Sequence, residues 1–519
     1  MEQTQYDAII IGSGHNGLTT AGYLARDGLS VLVLERQDVV GGAAVTEELY
    51  PGFLVPYCSY ICYILQGKVI DDLELREYGL EIIPTTYGHF HPFPDGQYLQ
   101  IGSWGDLEED VEEIARFSER DARAYPEWRA FWEQASGILH RYWLKEPPTL
   151  AQVFEDVRGT RDEEVWETML TVSQRDLIDR YFESEYVKSQ FIDPVGEGDP
   201  SAPGSIISTA YELCAHFSRP EDIGIPRGSM GAITQAMARS AQARGVEIRT
   251  GTRVEKVIVE DGVAKGVKLA NGEEIRSFIV VSNADPKSTY LALVDSEHLG
   301  EGFIHKVKSL STRGNCVKFL AALKELPDFS RYLGKDYDPR RIAEVTICPS
   351  VEYCQDSWDA AKNGRPSEFP IMDVQIPSIY DPSLAPPGHH VFSAWCRYYP
   401  AELANGSWEE EGKRVGDMII DILTGYAPNF RDSIIDWTAQ TPKDIEVREG
   451  MTDGNIRHID INSQQIFTGR MPYRSPIDRL YMCGSGTHPG GDVTGAPGHN
   501  AAKAVLKDLS KVIEHQPVG

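Results

Sequence analysis

Residues 6–42 read YDAIIIGSGHNGLTTAGYLARDGLSVLVLERQDVVGG. Ala8–Ile11 is a short apolar run of the kind buried on both faces of a parallel sheet. Gly12, Gly14 and Gly17 follow at the spacing G-x-G-x-x-G, and Leu18–Arg26 carries the period of a helix that Gly28 can stop. Val31–Leu34 is a second apolar strand, ending in Glu35 about twenty residues beyond the glycines. A glycine triad alone is an ordinary turn. Between two strands, with an acid closing the second, it is the dinucleotide-binding fingerprint in its required setting. Gly12 permits the tight turn, Gly14 admits a pyrophosphate close to the backbone, and Gly17 lets the helix lie against the strand. The helix N-terminus turns free N–H groups and positive partial charge toward the phosphates. Glu35 is set to accept hydrogen bonds from an adenosine ribose.

The chain has 519 residues, enough for two or three interwoven domains. A formal net charge of −28 argues against nucleic acid and anionic membrane surfaces as partners, because both demand basic patches. The core strand begins almost at once, leaving no room for a signal peptide. No stretch approaches the ~20 apolar residues of a membrane span, though peripheral contact with a membrane stays open. The cysteines Cys58, Cys62, Cys214, Cys316, Cys348, Cys354, Cys396 and Cys483 form no CxxC pair and no metal-ligand spacing. Scattered thiols fit a reducing compartment. The expectation is a cytoplasmic protein with neither a redox disulfide nor structural zinc.

Beyond Gly42, Tyr57, Tyr60 and Tyr63 recur at a helix-like spacing, as residues of a core helix or of a wall facing a ligand. Leu80–Pro84, Gly88–Pro92 and Tyr98–Ile101 read as strands, the last two joined by a turn at Pro94-Asp95-Gly96. Asp106–Tyr142 is helical; its acidic opening reads as a solvated face, and Trp128, Phe131, Trp132 and Trp143 as core. More helix runs from Leu150 to Phe191, followed by a loop over Gly196–Gly204. Helix Ala232–Arg244 and strand Val246–Arg249 lead into three short strands, Arg253–Glu260, Ala264–Leu269 and Glu274–Phe278. Asp261-Gly262 and Asn271-Gly272 join these three as hairpins. A separate strand, Ile279–Ser282, closes the region. Asn315–Lys324, Glu368–Ile376 and His390–Tyr399 read as long strands of a second, antiparallel sheet covered by helix Trp408–Tyr426. Strand Leu480–Met482, a Gly-rich loop over Gly484–Gly498 and a terminal helix from near Ala496 return to the nucleotide-fold pattern.

The fold class is therefore α/β (α+β overall). A Rossmann-like FAD-binding domain with an inserted three-stranded meander takes residues 1–75, 225–290 and 455–519. An interleaved substrate-binding domain with an antiparallel sheet and a helical subdomain takes residues 76–224 and 291–454. Three features favour FAD over NAD. The doublet Gly41–Gly42 gives a second close backbone approach to the cofactor, and no further GxGxxG unit offers a nicotinamide site. The loop CGSGTHPGGDVTGAPGHNAA clears space beside the last helix, whose N-terminus can stabilise negative charge on a reduced flavin.

Four strings carry a family likeness: GSGHNGLTTAGYLARDGLSVLVLERQDVVGGAAVTEE, PRGSMGAITQAMA, TDGNIRHID and LYMCGSGTHPGGDVTGAPGHNAA. They resemble the phytoene-desaturase-like flavoproteins, and within them the branch of the animal pyridine nucleotide-disulfide oxidoreductase domain-containing proteins. The resemblance implies an FAD-containing oxidoreductase with the bipartite fold of amine oxidases. It lays Gly12, Ser13, Gly14, Asn16, Gly17, Glu35, Arg36, Gly41, Gly42 and Ala43 along the adenosine and diphosphate. It sets the Val254 backbone beside the adenine, and Gly484, Asp492 and Val493 along the ribityl chain and flavin. This chain departs at Ala43, where many relatives have Arg, and at Asp492, where branch members commonly have Gly.

The implied reaction passes hydride from a small apolar substrate to flavin N5 while a base or solvent takes the proton, with O2 or a quinone as candidate electron acceptors. Tyr57, Tyr60, Trp395 and Tyr398 are candidates for the substrate pocket, and His488 and His458 for the base. A dehydrogenase or desaturase of an apolar or alicyclic molecule is the first reading. A redox-neutral FAD-dependent double-bond isomerase of a lipid or carotenoid, and an amine oxidase, are the alternatives. The non-enzyme alternative is a flavin-free lipid-tail-binding protein like the Rab GDP-dissociation inhibitors.

Overall fold

The computed structural model describes residues 6–102, 105–192 and 198–514. Its first sheet grows from strand Tyr6–Ile11, which pairs in parallel with Val31–Leu34 on one side and Glu274–Ser282 on the other. Glu247–Arg249 extends one end and Leu480–Met482 joins Glu274–Ser282, so segments far apart in sequence share one sheet. Helix His15–Arg26 packs between helices Gly231–Ala243 and Ala496–Glu514. Glycine makes that packing close: a Cβ at Gly498 would overlap the Asn16 carbonyl, and one at Gly17 the Gly12 carbonyl.

The meander strands Val254–Glu260 and Val263–Leu269 lead into a strand longer than its sequence pattern suggests. Glu274–Phe278 and Ile279–Ser282 are one continuous strand, not two. Its first half alternates buried with partly exposed residues and pairs antiparallel with Val263–Leu269. Its second half is buried throughout and pairs in parallel with Tyr6–Ile11. The change of pattern marks a change of neighbours, and no Gly or Pro breaks the strand.

The second sheet runs in the order Ile434–Gln440, Val317–Leu323, His390–Arg397, Ile371–Gln375, Glu344–Ile347, His89–Pro92 and Tyr98–Ile101. The hairpin of residues 89–101 thus enters a sheet built mostly from residues 317–440, through a parallel contact of Phe90 with Val345. Strand alternation divides this sheet into two chemically different faces. Phe319, Val345, Val374 and Ala394 pack on Val415, Ile419 and Leu423 of helix Trp408–Tyr426. Lys318, Glu344, Thr346, Asp373, Trp395 and Arg397 project from the other face, which turns toward the interior of the molecule.

The helical region divides at Ser118, whose hydroxyl caps helix Glu119–His140 by accepting from the Asp121 N–H at 3.1 Å. Trp128, Phe131, Trp132 and Trp143 belong to its core. Tyr57, Tyr60 and Tyr63 lie in irregular chain rather than in a helix. That stretch is anchored from outside: Tyr57 N–H donates to Val45 and Cys62 N–H to Gly224. The expected loop at Gly196–Gly204 falls partly outside the described residues. No helix among those described is long and apolar enough to cross a membrane.

Candidate functional site

Residues 6–42 close a corner around the glycines. Gly12 takes φ +93°, a left-handed turn that side chains disfavour, and sends the chain from strand into helix. Glu35, at the end of the neighbouring strand, is buried and accepts from Ser13 N–H at 2.9 Å, Ser13 Oγ at 2.8 Å and Gln37 N–H at 2.9 Å. These bonds fix the carboxylate beside the glycine turn and leave roughly one of its four acceptor positions open. Gly41 bridges to Gly14, and a Cβ at Gly42 would stand 3.4 Å from the Gly14 Cα. The doublet and the triad therefore form one backbone cradle. Val254 is buried at the start of its strand. Arg36 is exposed, with its guanidinium on the carbonyls of Val447 and Arg448 rather than over the cradle.

The C-terminal loop forms the opposite side. Gly484 is tightly enclosed: a Cβ there would come within 2.8 Å of the Asn283 carbonyl and 2.9 Å of His458 Cε1. Asp492 holds φ +62°; its carboxylate takes a bond from Arg457 Nε at 3.2 Å, while its buried Oδ2 has no partner. Arg457 also pairs with Glu212, which takes the Tyr63 hydroxyl. His15 opens the first helix with a buried, unpartnered Nε2, and burial pushes its imidazole down to about 4. A glycine cradle together with buried polar atoms that lack partners fits a bound dinucleotide, which brings both phosphates and hydroxyl donors.

Between the loop and the polar sheet face lies a cavity of about 960 Å³. His15, Ala43, Asp492 and Val493 line its nucleotide side, and Glu344, Asp373, Trp395 and Arg397 its sheet side. Tyr125, Trp128, Trp132 and Phe191 of the helical region enclose the rest, so the core tryptophans Trp128 and Trp132 also bound the cavity.

The sequence candidates fall into two groups in the fold. Tyr60 and Trp395 line the cavity. Tyr57 lies under the Arg448 guanidinium, 3.3 Å from its ring centroid, and Tyr398 is fully buried edge-on to Trp358 at 5.3 Å; neither is in the lining. His488 donates from Nε2 to the Tyr142 carbonyl at 2.8 Å, and His458 is packed against Gly484 at φ +65°. Neither histidine lines the cavity, and burial pushes both down to about 4.

Lys318 is the residue that sequence reasoning passed over. It is 0% exposed, its Nζ has no hydrogen-bond partner, and it lies 4.8 Å from the Tyr60 ring centroid and 4.7 Å from that of Trp395. Burial pulls its ammonium down to about 7. The signal was a lone lysine inside the otherwise apolar strand CVKFLAAL. Arg457 was legible only as part of the TDGNIRHID string.

Residues 10–66 match the NAD(P)-binding Rossmann-like domain, and residues 74–396 match the flavin containing amine oxidoreductase family. The chain is 34% identical to pyridine nucleotide-disulfide oxidoreductase domain-containing protein 2 of Rattus norvegicus, over 98% of its own length and 94% of that protein. It is 29% identical to a limonene dehydrogenase polypeptide of Castellaniella defragrans, over 98% and 96% of the two chains. It is 24% identical to the lycopene-forming phytoene desaturase of Pseudescherichia vulneris, over 96% and 99%. The resemblance drawn from the four strings holds, and the dinucleotide is FAD. With an oxidoreductase fold around a dinucleotide cradle and a family match over more than half its length, the chain belongs to the flavin containing amine oxidoreductases.

Proposed function

We propose that this chain is an FAD-dependent dehydrogenase, or desaturase, acting on a C–C bond of an apolar or alicyclic small molecule. The observation that carries the reading is a cavity bounded by Ala43 and Val493 on one side and Tyr60 and Trp395 on the other. A flat, mostly apolar molecule fits between the C-terminal loop and those rings. The two relatives named a dehydrogenase and a desaturase align over nearly the whole chain, which supports it. FAD supplies the hydride acceptor at its flavin N5 when bound.

In this reading residues 1–75, 225–290 and 455–519 hold the cofactor, and residues 76–224 and 291–454 the substrate. Gly12, Ser13, Gly14, Asn16 and Gly17 with Gly41–Gly42 carry the diphosphate, Glu35 the ribose, and Asp492 the ribityl hydroxyls. Glu35→Ala removes charge-assisted hydrogen bonds worth about 1.5–3 kcal/mol. FAD affinity should therefore fall by roughly tenfold to a hundredfold in a fluorescence titration; unchanged affinity would refute the ribose assignment.

Lys318, packed on the cavity-lining rings of Tyr60 and Trp395, takes up the substrate proton in preference to His488 and His458. The neutral amine is the base, and it predominates above about 7. The turnover number should thus fall as pH drops through 7. Lys318→Met should lower it by about 10²–10⁴-fold and abolish that limb of the pH profile, with FAD retained.

The reading is tested by anaerobic mixing of the FAD-loaded protein with a lipid extract of its own cells. Loss of the yellow flavin band is expected. Product formation with the flavin staying oxidised would establish the isomerase instead, and no change in either would overturn the dehydrogenase.

A further inference from the structure

We infer that Asp492, together with Glu212, sets the reduction potential of the flavin and holds it low. The inference goes beyond the choice of substrate, and rests on the proposed function only for the flavin lying in this cavity.

Tyr63, Glu212, Arg457 and Asp492 run as a chain of polar contacts within the cavity lining. The Tyr63 hydroxyl donates to Glu212, Arg457 pairs with Glu212, and Arg457 Nε reaches Asp492 Oδ1 at 3.2 Å. One guanidinium therefore serves two carboxylates. All three charged side chains are at most 12% exposed. Among the described residues no group donates to Asp492 Oδ2, which is buried. Other cations do not make up the difference. Burial pushes His15 and His458 down to about 4, so both are neutral near pH 7. Arg470 lies outside the lining, with its guanidinium on the carbonyls of Thr487 and Ser485. Glu212, Arg457 and Asp492 thus bring one uncompensated negative charge to the nucleotide side of the cavity.

Reduction adds negative charge to a flavin, so a fixed negative charge nearby raises the energy of the reduced form more than that of the oxidised form. A ribityl hydroxyl can share Asp492 Oδ2 without cancelling its charge. The effect is large here because buried charges act at a low effective dielectric and escape screening by salt. A surface acid would shift the potential far less. A flavin held at low potential is a weaker oxidant of the substrate and a stronger donor to the electron acceptor. Asp492 and Glu212 therefore favour re-oxidation of the cofactor over its reduction.

The test is the midpoint potential of the FAD-loaded protein, measured anaerobically by slow reduction with xanthine and xanthine oxidase against a reference dye. Asparagine keeps the shape of aspartate and tolerates the left-handed backbone at φ +62°. Asp492→Asn is expected to raise the potential, moving the equilibrium with the dye about tenfold or more toward reduced flavin, or about 30 mV for two electrons. Glu212→Gln should move it the same way, because it removes one of the two carboxylates from Arg457. If Asp492→Asn does not retain FAD, Glu212→Gln decides. A dye equilibrium unchanged within about twofold, a lower potential, or loss of FAD from both variants would overturn the inference. No substrate enters this measurement. Bleaching by the lipid extract with an unshifted potential in Asp492→Asn would sink this inference alone. A raised potential without bleaching would sink the dehydrogenase reading alone.

Discussion

Gly17→Ala is expected to yield a folded but colourless protein, with FAD affinity lowered at least about a hundredfold, roughly 2.8 kcal/mol. The added methyl would overlap the Gly12 carbonyl, and its next neighbours, Asn283 Cβ and Cγ, are each 3.3 Å away. Backbone cannot yield as a side-chain tip does, so the helix must move off the strand. That displaces the N–H groups which face the pyrophosphate. Gly28→Ala is the matched control. Gly28 holds φ +92°, yet nothing lies within 4 Å of its added Cβ. It should cost about 1 kcal/mol of stability through backbone strain and leave FAD bound. The measurement is the FAD-to-protein ratio after gel filtration, with unfolding followed in parallel. Full FAD occupancy in Gly17→Ala would show that helix and strand need not be this close.

Arg470→Met is expected to be the most destabilising single change, lowering the unfolding free energy by more than about 3 kcal/mol. Arg470 is 1% exposed, and its guanidinium donates to the carbonyls of Thr487, Asp460, Gln465, Arg457, Ile459 and Ser485. It ties the 457–465 turn, which presents Arg457 to Asp492, to the loop that follows Cys483. Methionine fills much of the volume but leaves buried carbonyls without donors. Arg470→Lys should recover little, because an ammonium cannot reproduce the planar fork of donors. Chemical denaturation of the three proteins gives the comparison; a loss in Arg470→Met below about 1 kcal/mol would mean that water satisfies those carbonyls.

Legibility in the sequence followed the range of the forces involved. The first strand, helix and second strand could be read because each is fixed by neighbours in sequence and by glycines whose need for φ > 0 is local. Tyr98–Ile101 and Trp408–Tyr426 have the bounds expected of them for the same reason. Strands Glu344–Ile347 and Ile434–Gln440 escaped notice. They are held by pairing with strands remote in sequence, and Glu344–Ile347 is only four residues long. The tyrosines at 57, 60 and 63 misled because a three-residue period can arise without a helix when tertiary contacts fix the chain. At the site, the cofactor half depends on glycine geometry and could be read. The substrate half depends on which strand faces bring Lys318, Glu344 and Asp373 together, and only the assembled sheet reveals that.

In the proposed arrangement residues 6–42 hold the adenosine half of FAD, and the flavin ring enters the cavity shared with the substrate-side sheet. A crystal structure of the FAD-loaded protein tests it most directly. The expected density has the ribose on Glu35, the diphosphate on the cradle of Gly12, Gly14, Gly41 and Gly42, and the ring between Val493 and the Tyr60–Trp395 wall. Density that leaves the ring outside this cavity, or the ribose away from Glu35, would contradict it.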